Sequence, residues 1–171
     1  MTLAELLCAA FVALALPNAD EACYNMEVVV DAAERYNVDP AVMVSLIHVE
    51  SRWVPTAVSR DGACGLTQIL PKYTKRSYKG KVTCKQLFDT ELSIYKGTDI
   101  LGKYLKRYRR NYKRSLCSYN AGPRRCRPNA EENKGHRYAN KVMRLARKIR
   151  RKVKVIEREE REMEDIPGCY E

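Results

Sequence analysis

The chain has 171 residues, a length for one domain or at most two, and 45% of them are hydrophobic, enough to bury a single core of ordinary size. No apolar run reaches the ~18–20 residues that a membrane-spanning helix needs, so neither a polytopic membrane protein nor a wholly disordered chain fits. Net charge is +11 and unevenly spread: residues 1–71 carry nine acids and three bases (−6), residues 72–154 five acids and 27 bases (+22), and residues 155–171 seven acids and two bases (−5). So basic a middle points to an anionic partner (nucleic acid, acidic glycan or membrane surface) or to a solvated basic face.

Leu6 to Leu16 is an eleven-residue apolar run, the length of a signal-peptide apolar region. Small residues at Ala13, Ala15 and Ala19 offer cleavage positions. The opening Met1-Thr2-Leu3-Ala4-Glu5 lacks a base and carries an acid, which suits a leader poorly. Residues 1–19 are therefore expected to be a signal peptide or, alternatively, an N-terminal apolar segment forming a short buried helix.

Asn25 to Tyr36 reads as a helix with Val28, Val29, Ala32 and Ala33 on one face. Asp39 and Pro40 start a second, running to about Glu50, because an Asp can cap and a proline suits the first helical position. Residues 55–80, with Pro55, Gly62, Gly65, Pro71 and Gly80, read as loop. Residues 84–112 hold one or two helices, with Leu101, Tyr104, Leu105, Tyr108 and Tyr112 at helical spacing. Gly97 and Gly102 there imply close contact or a break. A short helix over 115–119 precedes a Gly/Pro loop. His136 to about Ile156 is the last helix, striped by Tyr138, Val142, Leu145, Ile149 and Val153. Glu157 to Asp165 is charged on all sides, a solvated helix or frayed tail. No stretch alternates as a strand does, so no sheet is expected.

Seven cysteines stand at 8, 23, 64, 84, 117, 126 and 169. None has zinc-knuckle spacing, so no metal site is expected. Setting Cys8 aside with the leader leaves six, which fits three disulfides in an oxidising compartment.

Met43, Leu46, Ile47 and Glu50 fall on one face of the second helix. Glu50 thus joins an apolar stripe at a helix C-terminus. Burial and the backbone dipole both oppose its ionisation, and a carboxylic acid protonated near neutral pH is what a general acid needs. A Glu that ends the helix and swings into solvent, or pairs with Arg52 or Arg60, is the structural alternative.

Further residues decide between these. Glu50-Ser51-Arg52-Trp53-Val54-Pro55 is followed by Ala57-Val58-Ser59, then by Gly62-Ala63-Cys64-Gly65-Leu66-Thr67-Gln68-Ile69 and Pro71. Tyr119-Asn120-Ala121-Gly122-Pro123 and Tyr138-Ala139-Asn140-Lys141-Val142 come later. These blocks, over about residues 28–148, resemble the soluble lytic transglycosylase family, whose catalytic domain is goose-lysozyme-like. The resemblance implies an all-α, lysozyme-like domain over 22–150, and the charge pattern makes residues 151–171 a charged C-terminal extension of the long last helix.

It further implies Glu50 as the single catalytic acid/base, with Ser59, Gln68, Tyr119 and Tyr138 on the substrate side. Ser51, Gly65, Asn120, Cys64 and Cys117 would be structural neighbours of the site. Thr67 and Leu70 stand where methionine is frequent, modest changes at a cleft wall. Trp53 is read as a core anchor rather than a sugar platform. Cys64 and Cys117 both flank the site, so a disulfide there would stiffen its walls, two free thiols being the alternative.

The implied reaction cleaves the β-1,4 bond from MurNAc to GlcNAc in peptidoglycan without water, leaving 1,6-anhydro-MurNAc. Ordinary glycosidases use two carboxylates, and the sequence offers no good second one, Asp61 reading as a turn residue. No metal or organic cofactor is implied. The partners are peptidoglycan glycan strands and anionic cell-envelope polymers, with no specific nucleic acid. The expected protein is an exported monomer, periplasmic, secreted, envelope-bound or carried in a phage particle. Two other functions stay open: a hydrolytic muramidase on the same fold, and a non-enzymatic basic module binding wall polymer or nucleic acid.

Overall fold

The computed structural model describes residues 1–74 and 82–164. The chain folds as helices: α1 (Leu3–Ala13), α2 (Ala19–Tyr24), α3 (Met26–Arg35), α4 (Pro40–Ser51), α5 (Pro71–Thr74), α6 (Cys84–Leu87), α7 (Thr90–Arg107), α8 (Tyr112–Ala121), a 3-10 turn over Pro123–Arg125, and α9 (Lys134–Glu164). Among the described residues the only extended pairings are the isolated bridges of Cys64 with Val58 and Ile69. The all-α expectation holds.

Local chemistry sets most boundaries. The Asp39 carboxylate accepts from the Val42 N–H at 3.2 Å, with Pro40 in the first turn, so α4 starts where predicted. Asp89 accepts from the Leu92 N–H at 2.7 Å and thereby separates α6 from α7. Asn111 caps α8 through the Arg114 N–H at 2.9 Å, which starts this helix earlier than its apolar pattern suggested. Gly97 and Gly102 do not break α7. A Cβ at Gly97 would lie 2.5 Å from the Thr67 side chain, so this glycine is a contact point.

Every residue from Ala41 to Ile47 is buried, so α4 is an inner helix with no solvent face, not the amphipathic one its stripe implied. α3, α1 and α9 enclose the core around it. α9 runs antiparallel to α4, with Tyr138 against Glu50 at one end and Arg150 ion-paired with Asp39 at the other, 2.9 Å apart.

Within residues 1–19, Leu3–Ala13 forms a helix that packs on the rest of the chain. Thr2 and Glu5 close a capping box, Thr2 N–H donating to the Glu5 carboxylate at 2.6 Å and Glu5 N–H to the Thr2 hydroxyl at 3.2 Å. The acid that suits a leader poorly is thus a helix-start residue. Leu7, Ala10 and Phe11 are buried, and a disulfide ties Cys8 to Cys23 of α2. α9 continues without a break past residue 150 to Glu164. An Arg158–Glu162 pair at 3.4 Å supports that extension one turn apart.

The cysteine expectation needs correcting in its members. Three disulfides form, Cys8–Cys23, Cys64–Cys84 and Cys117–Cys126, so Cys8 belongs to the set. Cys169 and Gly80 lie outside the described residues.

Candidate functional site

The site begins where α4 ends. Arg52 (φ 52°) and Trp53 (φ 64°) are both left-handed, turning the chain sharply after Glu50 and Ser51. Such a pair of non-glycine residues needs support. The Ser51 hydroxyl donates to the Ile47 carbonyl and accepts from the Trp53 N–H, both at 3.2 Å. The Asn18 side chain donates to the Arg52 carbonyl at 2.7 Å. Trp53 is buried against the edge of Phe11, ring centres 5.9 Å apart, and Phe11 also meets His48 at 5.6 Å. Trp53 is therefore a core anchor, as predicted. Phe11, from the N-terminal apolar segment, braces the turn that holds Glu50. This brace does not follow from the pattern of residues 1–19, although Thr2 and Glu5 three positions on already carry a helix-start signature.

Burial pushes the Glu50 carboxyl up to about 7, and the Tyr138 hydroxyl opposite it pulls the other way. The Tyr138 hydroxyl is shut off from solvent and sits short of a fully formed hydrogen bond. It faces Glu50 and Tyr119, and burial followed by the Glu50 charge drives its own pKa well above the ordinary tyrosine value. Near neutral pH the site thus holds a carboxyl divided between acid and base forms, beside a phenol that stays protonated.

The loop after Trp53 supplies the other wall. Gly65 has φ 77°, and a Cβ there would lie 2.1 Å from the Leu87 carbonyl, so only glycine fits. Gln68, also left-handed, donates both amide hydrogens within the loop, to Ala57 O at 3.0 Å and Gly65 O at 2.9 Å. Its amide oxygen is the polar atom it can present to a ligand. Tyr119 of α8 donates to the Thr67 carbonyl at 2.7 Å, tying this loop to α8.

Thr67 is fully buried, its hydroxyl donating to Ser93 O at 2.8 Å. It is an interior residue fastening the loop to α7, not a cleft-wall residue as expected, because Gly97 leaves room for it in the helix interface. Ser59 is exposed, and its hydroxyl oxygen accepts from the Ala63 N–H at 3.0 Å, holding the loop tip in shape. Asn120 is exposed on α8.

Cys64 and Cys117 do not bond to each other. Cys64 pairs with Cys84 beside Ile69 and Leu87, and Cys117 pairs with Cys126 after the 3-10 turn. Each wall has its own bridge, since each cysteine faces its own neighbouring segment.

Asp61 is exposed at the loop tip. Asp99, the one acid among the described residues as buried as core side chains, pairs with Lys103 on α7 at 2.8 Å. No second carboxyl accompanies Glu50 among the residues gathered here. Nor do three His, Cys, Asp or Glu side chains converge as a metal would need, among the described residues.

An all-helical body holding one half-buried, poorly ionised carboxyl at a helix end between a loop wall and two tyrosines defines a lysozyme-like class. The chain belongs to the transglycosylase SLT domain family, whose model matches residues 27–142. It is 30% identical over 88 residues to the membrane-bound lytic murein transglycosylase E of Buchnera aphidicola, covering 48% of this chain and 40% of that protein. It is 29% identical over 113 residues to the transglycosylase of Enterobacteria phage PRD1, covering 66% and 39%. The crystal structure of the 70 kDa soluble lytic transglycosylase from Escherichia coli matches with a TM-score of 0.60 and 26% identity, over 70% of this chain and 24% of that one. The chain thus spans about two fifths of those two relatives and a quarter of the solved protein.

Proposed function

We propose that this protein is a peptidoglycan lytic transglycosylase in which Glu50 acts first as general acid and then as base. The observation that carries the reading is one half-buried carboxyl with a pKa raised to about 7 and, among the described residues, no second carboxyl gathered with it. A group balanced between its two forms serves both halves of such a reaction.

Protonated Glu50 gives its proton to the glycosidic oxygen, and the bond from that oxygen to C1 of MurNAc breaks. An oxocarbenium-like centre forms at C1. The Glu50 carboxylate then takes the proton of the same sugar's C6 hydroxyl as that oxygen bonds to C1. Glu50 ends protonated, no water is consumed, and the product is 1,6-anhydro-MurNAc. An internal nucleophile has the high effective concentration that makes a second carboxylate unnecessary. Tyr138 steadies the carboxylate between the two transfers. Tyr119 and the Gln68 amide oxygen line the substrate side, and Ser59 shapes the loop tip.

Three disulfides support an oxidising, extracytoplasmic setting. No helix among the described residues is long and apolar enough to cross a membrane. The likeness to a phage transglycosylase keeps a virion among the settings that fit. The basic helices suit anionic envelope polymers as partners of a monomer.

Mass spectrometry of products from purified peptidoglycan tests the reading. Anhydro products, lighter than hydrolysed ones by one water, should fall by about 10²–10⁴-fold in Glu50→Gln. Ordinary reducing ends would make the protein a muramidase. Equal traces from both proteins would leave only a binding module.

A further inference from the structure

α9 carries no acid from residue 133 to residue 156, and ten lysines and arginines. Five of these, Arg137, Lys141, Arg144, Lys148 and Arg151, recur at spacings of four and three, and all are exposed. They form one stripe about 21 Å long. Val142, Ala146 and Ile149 bury the opposite side of the helix.

A solvated helix face ordinarily mixes signs, because like charges one turn apart repel by about 0.2–0.5 kcal/mol per pair. The distal turns of α9 do mix them, Arg158 pairing with Glu162 at 3.4 Å. The stripe does not. Each of its members is followed one turn on by another cation, and none pairs with an acid among the described residues. Arg150, off the stripe, is the basic residue of this stretch that has an acidic partner, Asp39.

The stripe also starts at the site. Arg137 and Lys141 bracket Tyr138, the residue facing Glu50. His48, two residues before Glu50, has its pKa lowered by burial first and then by Arg52 and Lys141, so Lys141 lies within electrostatic reach of the catalytic turn.

We propose that Arg137, Lys141, Arg144, Lys148 and Arg151 form a docking track for carboxylate groups on the peptides attached to the glycan being cleaved. The inference rests on the peptidoglycan reading above. The partner's charge complements the track, and the track's continuity with the site favours groups carried by the substrate itself. No exposed aromatic residue interrupts the stripe to stack a nucleic-acid base.

The test uses Glu50→Gln as a carrier, with and without the added changes R144E, K148E and R151E, which lie away from the catalytic turn. Co-sedimentation with intact peptidoglycan is measured at about 50 and 200 mM salt, where contacts of this kind weaken steeply. The track predicts at least tenfold weaker binding by the reversed protein at low salt and loss of most salt dependence. Both proteins should bind peptide-free glycan strands equally. Circular dichroism checks that α9 is intact, and Gln in place of Glu at the three positions serves if reversal unfolds it. Equal binding of both proteins to intact peptidoglycan would overturn the track, as would an equal loss on peptide-free strands. So would dependence on these residues appearing with duplex DNA or anionic vesicles and not with peptidoglycan. Cleavage of peptide-free strands by the protein with Glu50 intact checks the catalytic reading separately.

Discussion

Two carboxyl groups mark the ends of α4, and α9 runs past both. At the N-terminal end Asp39 accepts from the Val42 N–H at 3.2 Å and from Arg150 Nε at 3.0 Å, while its own N–H donates to the Tyr112 hydroxyl at 2.9 Å. The helix dipole there favours negative charge. At the C-terminal end Glu50 is enclosed, the dipole opposes negative charge, and α9 offers it a neutral phenol. One helix and one neighbour thus make a supported ion at one end and a reluctant one at the other. A carboxyl's role follows from what the partner helix presents and from access to water.

The largest perturbation of this contrast reaches it through the brace. Phe11→Ala should cost about 3–5 kcal/mol, the usual penalty for a buried Phe, and should slow cleavage by loosening the Trp53 turn. Urea unfolding reads the first effect, and an unchanged midpoint would mean α1 contributes nothing to the Glu50 end of α4.

Next comes linkage to pH. Glu50's folded pKa of about 7 lies above its ordinary 4.5. Between those values the folded state keeps a proton that the unfolded state has lost. Glu50 therefore lowers stability as pH rises from 4.5 to 7, by at most about 3 kcal/mol, with no further loss above. His48, with its pKa lowered, works in the opposite sense below its ordinary 6.5, adding stability as pH rises. The difference between wild type and Glu50→Gln isolates the Glu50 slope. Parallel stability curves would show that the carboxyl ionises freely.

Tyr138→Phe sharpens the comparison further. Without the facing hydroxyl the Glu50 carboxylate is harder to form, so the alkaline limb of the activity profile should move up. Turnover should fall by up to about tenfold as that support is lost, with little change in melting temperature. A profile that stays in place would remove Tyr138 from the proton-handling group.

The smallest effect belongs to the other end. Asp39→Ala should cost about 1 kcal/mol through the lost cap, measured as a lower melting temperature, with cleavage unchanged below the transition. A selective loss of turnover would mean that the two ends are coupled.

Some of this was legible residue by residue. The Asp39-Pro40 start, the apolar stripe of α9 and the place of Glu50 in the α4 pattern follow from local rules, and those rules also gave the direction of Glu50's pKa shift. The paired cysteines and the left-handed turn at Arg52 and Trp53 did not follow from spacing. Disulfide partners meet across segments distant in sequence, and a strained turn is stable only when Asn18, Ser51 and Phe11 hold it. Thr67 looked like a wall residue because its burial depends on a glycine thirty positions away in α7.

Short-range chemistry therefore wrote the helices, their caps and the presence of one carboxyl on an apolar face, since these depend on neighbours within a turn or two. The fold alone decided that Phe11 sits under the turn after Glu50, that Tyr138 faces Glu50 while Arg150 faces Asp39, and that each site wall has its own disulfide. Those outcomes require surfaces from separate helices to meet, and burial, which sets the carboxyl near 7, exists only once they have met.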